Sequence, residues 1–191
     1  RSVEEYTEHL REVIETLSQA NLQLRAEKCH FGYRQVALLG HILIGSMQEA
    51  DSSKLALFME LPRPKTGKQV EAYLGLANYL REYIPLYSHI AAPLEVLRRA
   101  KTIDEQQWTK DCQLAFDTFK KVLKRPLILQ LPKDGLDFRV ATNASKYGIG
   151  AALFQEDAKG KRLYVAFASQ ALNRAQSNYP ATKRELLAIV F

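Results

Sequence analysis

Residues Phe138–Gln155 read FRVATNASKYGIGAALFQ, and this stretch decides the fold. Leu136–Thr142 alternates apolar and polar side chains, the period of a half-buried strand. Asn143-Ala144-Ser145-Lys146-Tyr147 is a small polar turn, and Gly148–Gln155 is a second strand rich in glycine and alanine. After the turn Ala158-Lys159-Gly160-Lys161, a third strand is expected over Leu163–Ser169. Thr182 then opens a last helix, with Thr182-x-x-Glu185 spaced as a capping box.

Outward toward the amino terminus the pattern becomes helical. Leu10, Val13, Ile14 and Leu17 lie on one stripe of a helix over Val3–Ala20, and Asn21 offers its stop. Gln35–Ile44 reads as a strand or hairpin. Ser52–Glu60 is a short helix opened by Asp51 or Ser52 and broken by Pro62 and Pro64. Further helices are expected over Gly67–Tyr83, His89–Arg99 and Thr109–Lys124, with Lys101–Gln107 as a polar linker. Helices up to about residue 125, then antiparallel strands with one closing helix, make an α+β protein.

The 191-residue length allows one or two domains. The apolar stretches are far shorter than a bilayer span, so no membrane partner is expected. The two cysteines, Cys29 and Cys112, form no framework, which points to an intracellular location, cytoplasmic or nuclear. Cys29-His30 and His41 lack the second spaced pair that zinc needs, so no metal site is expected there. A net charge of +6 favours an anionic partner, nucleic acid above all. The closing run ELLAIVF is an unprotected apolar helix, and on that ground the chain is expected to be a piece of something longer.

Six segments carry a resemblance to the Pol polyproteins of gypsy-type LTR retrotransposons. FRVATNASKYGIGAALFQ resembles the family's T-D-A-S-x-x-G-I-G-A-V-L-x-Q hairpin. NLQLRAEKCHFG (Asn21–Gly32) and VALLGH (Val36–His41) are similar to its N-L-x-L-x-x-x-K-C-x-F and V-x-F-L-G-H. LPRPKTGKQVEAYLGLANYLREYI (Leu61–Ile84) is similar to W-P-x-P-x-T-x-x-x-L-x-x-F-L-G-L-x-N-Y-Y-R-x-F-I. Ile90–Leu97 and Trp108–Leu123 follow I-A-x-P-L-x-x-L and W-T-x-x-C-x-x-A-F-x-x-L-K-x-x-L. All occur in family order across nearly the whole chain. Drift is visible too: Leu80 replaces the second tyrosine of N-Y-Y, and Met47 and Gln48 fall where a polar stretch containing G-I is usual.

The resemblance implies the end of a reverse-transcriptase palm over residues 1–60, a helical thumb-like segment over 61–107, and a connection helix with an amino-terminal ribonuclease-H-like domain over 108–191. It places Leu39, Gly40 and His41 (with Leu38) at a turn resembling the primer grip. It places Lys65, Lys68, Gly75, Asn78 and Arg81 on a thumb helix that tracks a template–primer duplex, through phosphates that position without reading sequence. The implied partner is an RNA–DNA or DNA duplex. Each segment also has a plainer reading. Gly40 makes a tight turn with His41 packed beside it. Gly75 costs a helix roughly 1 kcal/mol, which points to close approach by another backbone; its plainer reading is helix–helix packing, with the basic residues on a solvated face. Lys120, Lys121, Lys124 and Arg125 complement a helix C-terminus.

The family's nuclease uses magnesium, two ions about 4 Å apart held by carboxylates. Asn143 stands where its first metal-binding aspartate would be, and Glu185 matches its second acid. The resemblance puts the remaining acids beyond residue 191 and the polymerase Y-x-D-D turn before Arg1. A neutral amide cannot supply the charge of a bridging ligand. Two expectations follow: a duplex-binding fragment, catalytically inactive by itself and without a cofactor of its own, or a domesticated remnant working as a protein-interaction scaffold. The scaffold would use an open sheet edge beside Phe138–Thr142 to receive a protein partner or a second copy.

Overall fold

The computed structural model describes Ser2–Phe191, and the chain divides into two compact units, one up to Arg34 and one spanning Gln35–Phe191. In the first, helix α1 (Val3–Gln19) is opened by Ser2, whose hydroxyl accepts the Glu5 N–H. Glu4 and Glu5 add negative charge at the positive end of the helix dipole. Asn21 ends it at φ 55°, the left-handed stop that its short polar side chain tolerates. Further on, the Tyr6 hydroxyl accepts the Gly32 N–H at 3.0 Å.

The second unit begins with the expected hairpin, β1 (Gln35–Leu38) and β2 (His41–Ile44). Two strands beyond those the sequence predicts, β3 (Met47–Ala50) and β4 (Ile128–Gln130), complete an antiparallel sheet of order β1-β2-β3-β4. Strand β3 reads MQEA and β4 has three residues, too short to show a period. Their pairing, Gln48 with Leu129, is made across most of the helical region.

Helix α2 (Ser52–Glu60) is capped by Asp51, and α3 (Gly67–Tyr79) by Thr66. The helix expected to reach Tyr83 stops at Leu80 and tightens into a 3-10 turn, Arg81–Tyr83. Leu86, at φ 54°, starts α4 (Tyr87–Glu95), two residues earlier than expected, and a second 3-10 turn covers Val96–Arg99. Thr109 caps α5 (Lys110–Leu123). The core lies among these helices. The Tyr73 ring centroid is 4.6 Å from Phe58 and 5.1 Å from Phe116, and Leu74, Leu94 and Phe119 close around them. Each such side chain contributes about 1.5–3 kcal/mol through burial.

Strands β5 (Arg139–Ala144), β6 (Gly148–Glu156) and β7 (Arg162–Ala171) form a second antiparallel sheet in that order. Strand β5 starts three residues later than read, because buried Gln155 captures the preceding loop. Its amide donates to the Lys133 and Leu136 carbonyls and accepts the Lys133 N–H. Helix α4 packs on β6 and β7, and β4 touches β7, so the two sheets share one unit.

Helix α6 (Arg174–Ser177) was not anticipated; it carries a capping box from Asn173 and Gln176. Helix α7 (Ala181–Val190) lies against β5 and β6. It begins at Pro180, whose ring fixes a helical φ, so Thr182 falls inside the first turn. The capping box expected from Thr182 and Glu185 is therefore not formed. The α+β architecture, helices leading into an antiparallel sheet, is the one expected.

Candidate nucleic-acid interface

The β1–β2 turn is built on two residues with positive φ, Leu39 at 50° and Gly40 at 84°. This is the two-residue geometry whose twist suits a hairpin. Glycine takes it without strain; a leucine there is held by its surroundings. The turn packs against Tyr79 at the end of α3 and Tyr83 in the 3-10 turn after it. A Cβ on Gly40 would overlap the Tyr79 hydroxyl. The Tyr83 hydroxyl bonds to His41 Nδ1 at 2.8 Å while accepting from Gln48 Nε2 at 3.2 Å. Tyr83 accepts from Gln48 and, toward His41, donates to a bare Nδ1 or accepts from Nδ1–H according to the imidazole tautomer. Burial raises the pKa of the Tyr83 hydroxyl, keeping it protonated. The plain reading of Gly40 and His41, a tight turn with a packed histidine, is thus realised. The same packing presents Leu39, 86% exposed, at the tip.

Helix α3 buries Val70, Tyr73, Leu74 and Ala77 and turns Lys68, Gly75 and Asn78 to solvent. The backbone approach expected at Gly75 is absent: an added Cβ would meet no atom within 4 Å. Gly75 lies open on the wall of a cleft. Lys65 and Lys68, both exposed, flank the N-terminus of α3. Cations there oppose the helix dipole, so helix stability does not account for them. Lys120 departs from its expected role. Its ammonium donates to the Met59 and Leu61 carbonyls at 3.1 and 2.8 Å, closing the end of α2 instead of its own helix.

The cleft, of roughly 830 Å3, runs between α3–α4 and the β5–β6 turn with the end of β7. It gathers Gly75, Asn78 and Arg81 and adds Arg98, Lys146 and Tyr147, which the sequence did not single out. Lys65 and Lys68 lie outside its lining. Arg81 is half-buried and tied on three sides. It donates to the Ser169 carbonyl, to Ser88 Oγ at 3.4 Å and to Asn78 Oδ1 at 3.3 Å, and its guanidinium carbon lies 5.1 Å from the Tyr87 ring centre. Burial pushes the Tyr87 hydroxyl up to about 12, with Glu95 adding to the rise and Arg81 and Arg98 opposing it.

At the β5–β6 turn, Asn143 is exposed and its Oδ1 accepts the Ala144 N–H at 2.8 Å. Ser145 Oγ accepts the Tyr147 and Gly148 N–H groups and lies 3.1 Å from His89 Nδ1. Glu185 is exposed on α7. Among the described residues no three His, Cys, Asp or Glu side chains come together as a metal site. A neutral amide engaged by its own backbone, with a single matching acid, does not fit a pair of magnesium ions.

Residues 108–191 match the family profile of the RNase H-like domain found in reverse transcriptase. The chain is 34% identical to the retrovirus-related Pol polyprotein from transposon opus of Drosophila melanogaster, over 98% of its own length and 20% of that protein. It is 35% identical to the one from transposon 297 of the same fly, over 97% of its length and 17% of that protein. With the Schizosaccharomyces pombe transposon Tf2-3 polyprotein the identity is 28%, over 100% of the chain and 14% of the relative. This chain is a homologue of retrotransposon Pol polyproteins.

It spans about a fifth or less of the length of these relatives. The fold is shared with the foamy viral protease-reverse transcriptase. The TM-score is 0.73 to the structure in complex with an RNA/DNA hybrid, at 20% identity, covering all of this chain and 26% of that one. It is 0.72 to a structure in complex with double-stranded DNA, at 21% identity, covering 99% and 39%. The Pol homologue also contains no described helix long and apolar enough to cross a membrane.

Proposed function

We propose that this Pol homologue is the duplex-holding part of a retrotransposon reverse transcriptase and is catalytically silent by itself. Residues 1–60 would be the palm end with a primer-grip-like turn, 61–107 the thumb, and 108–191 the connection helix and nuclease-like sheet. The observation that carries the reading is the solvent face of α3. Lys68, Gly75 and Asn78 fall on one stripe, and Gly75 leaves open space for a group from outside the chain. Exposed donors and cations at helical spacing, beside a residue with no side chain, suit a sugar-phosphate backbone. The foamy viral structures with the same fold hold nucleic-acid duplexes, which supports the reading. A labelled RNA–DNA hybrid titrated across a salt series tests it. Sequence-indifferent binding that weakens steeply with salt is expected; no binding at low salt would overturn it.

A second reading rests on the free side of β5. Among the described residues that strand pairs only with β6. Phe138 and Val140 are 56% and 63% exposed beside it. An unpaired edge with such side chains suits strand addition by a second copy of the chain. Its test is the solution mass across a concentration series. A monomer at every concentration would remove this reading.

A further inference from the structure

We propose that the cleft between α3–α4 and the β5–β6 turn binds the phosphodiester backbone of a nucleic acid, with Lys146 as the cation that closes it opposite Arg81 and Asn78. This rests on the duplex-holding reading and extends it to a second wall outside the thumb helix.

Charge is the first ground. Arg81, Arg98 and Lys146 face the cleft against one carboxylate, Glu95, for a net +2. The ion pairs among the described residues join Arg63 to Glu105, Arg98 to Glu95 and Arg139 to Glu156. Arg81 and Lys146 therefore keep their charge uncompensated. Arg81 is held only by neutral acceptors, the Ser169 carbonyl, Ser88 Oγ and Asn78 Oδ1. A fixed cation in a low-dielectric cleft attracts anions more strongly than the same charge on an open surface.

Preorganisation is the second. Ser145 pins the turn that carries Lys146 and reaches His89, while the His89 and Tyr147 rings lie 5.6 Å apart. The lysine thus springs from a turn locked to α4. Asn78 gives its carbonyl oxygen to Arg81 and keeps its NH2 as a donor. Lys68 stands two turns before Gly75, about 10 Å along the axis, so a strand following the α3 stripe leads into the cleft.

Glu95 supplies a test that misfolding cannot imitate. Hybrid-binding isotherms across a salt series, on the whole chain, should show Lys146→Ala weakening affinity about 3- to 10-fold. The salt slope should fall by about 0.9 for the lost contact. Glu95→Gln should strengthen binding several-fold. Lys159→Ala, in the β6–β7 turn away from the cleft, should match the wild type. Wild-type isotherms for both Lys146→Ala and Glu95→Gln, with Lys65→Ala and Lys68→Ala still weakened, would overturn the cleft and leave the duplex-holding reading standing. Failure of the wild-type chain to bind at low salt would overturn both. Displacement of the hybrid by inorganic phosphate at matched ionic strength would make the cleft a small-anion site and overturn the backbone assignment.

Discussion

The Arg81 guanidinium donates to the main-chain carbonyl of Ser169, a residue 88 positions along the chain. One side chain thereby joins the 3-10 turn after α3 to β7, the last strand of the second sheet. Ser88 reinforces the joint, its N–H donating to Ser169 Oγ at 3.2 Å. Arg81→Ala would strand a buried carbonyl and uncover Tyr87. Loss of about 1–3 kcal/mol is expected, as for other buried groups left without a partner. Arg81→Lys should restore charge but not the forked set of bonds. Denaturant midpoints of both variants check this: each should fall, with lysine between wild type and alanine.

The β1–β2 turn makes a separate prediction. Gly40→Ala places a methyl group against the Tyr79 hydroxyl at a φ of 84°. The substitution should cost about 1–3 kcal/mol from backbone strain, with the clash added. Tyr83→Phe removes the bonds to His41 and Gln48 without changing shape, for about 1 kcal/mol. Thermal unfolding of the two single variants and the double should show less than additive losses, since both act on one turn.

These contacts show where the sequence was legible. The starts of α2, α3 and α5 were readable to within a residue, and Asp51, Thr66 and Thr109 cap them locally; the start of α7 was not, because Pro180 and not Thr182 takes the cap position. The β5–β6 hairpin was readable from its turn and glycine-alanine run, although β5 is exposed along nearly its whole length instead of alternating. Strand β4 was not, because its partner is β3, far back in the chain. Arg81 was singled out, but its tie to Ser169 depends on how the sheet docks, which no local pattern records. No local pattern marks Lys146 either, since only folding brings it beside α3.

Stability should also fall at high pH. Tyr73 and Tyr87 donate their hydroxyls to the Phe116 and Leu74 carbonyls in the core. Burial raises both, Tyr87 up to about 12. In the unfolded chain both ionise near pH 10. The folded state therefore holds more protons above that pH, and the stability present below it is lost as pH rises toward the folded value. A loss on the order of 1–3 kcal/mol is expected over that window. Urea unfolding from pH 8 upward checks it: Tyr87→Phe should flatten the decline in part and Tyr73→Phe the rest, and a decline unchanged in both variants would overturn the assignment.

Restoring the missing charge at the nuclease-like hairpin should not restore cutting. Asn143→Asp keeps an acceptor for the Ala144 N–H, and the position is exposed. Stability should therefore change by less than about 0.5 kcal/mol. The new carboxylate would join only Glu185 as a family-like acid, and no group of three ligating side chains exists among the described residues. Two-metal chemistry needs a cluster that can hold both ions. A labelled RNA–DNA hybrid incubated with Asn143→Asp and magnesium should stay intact, with or without chelator. Chelator-sensitive cleavage by the variant alone would show that the fold completes a metal centre from residues that the geometry leaves apart.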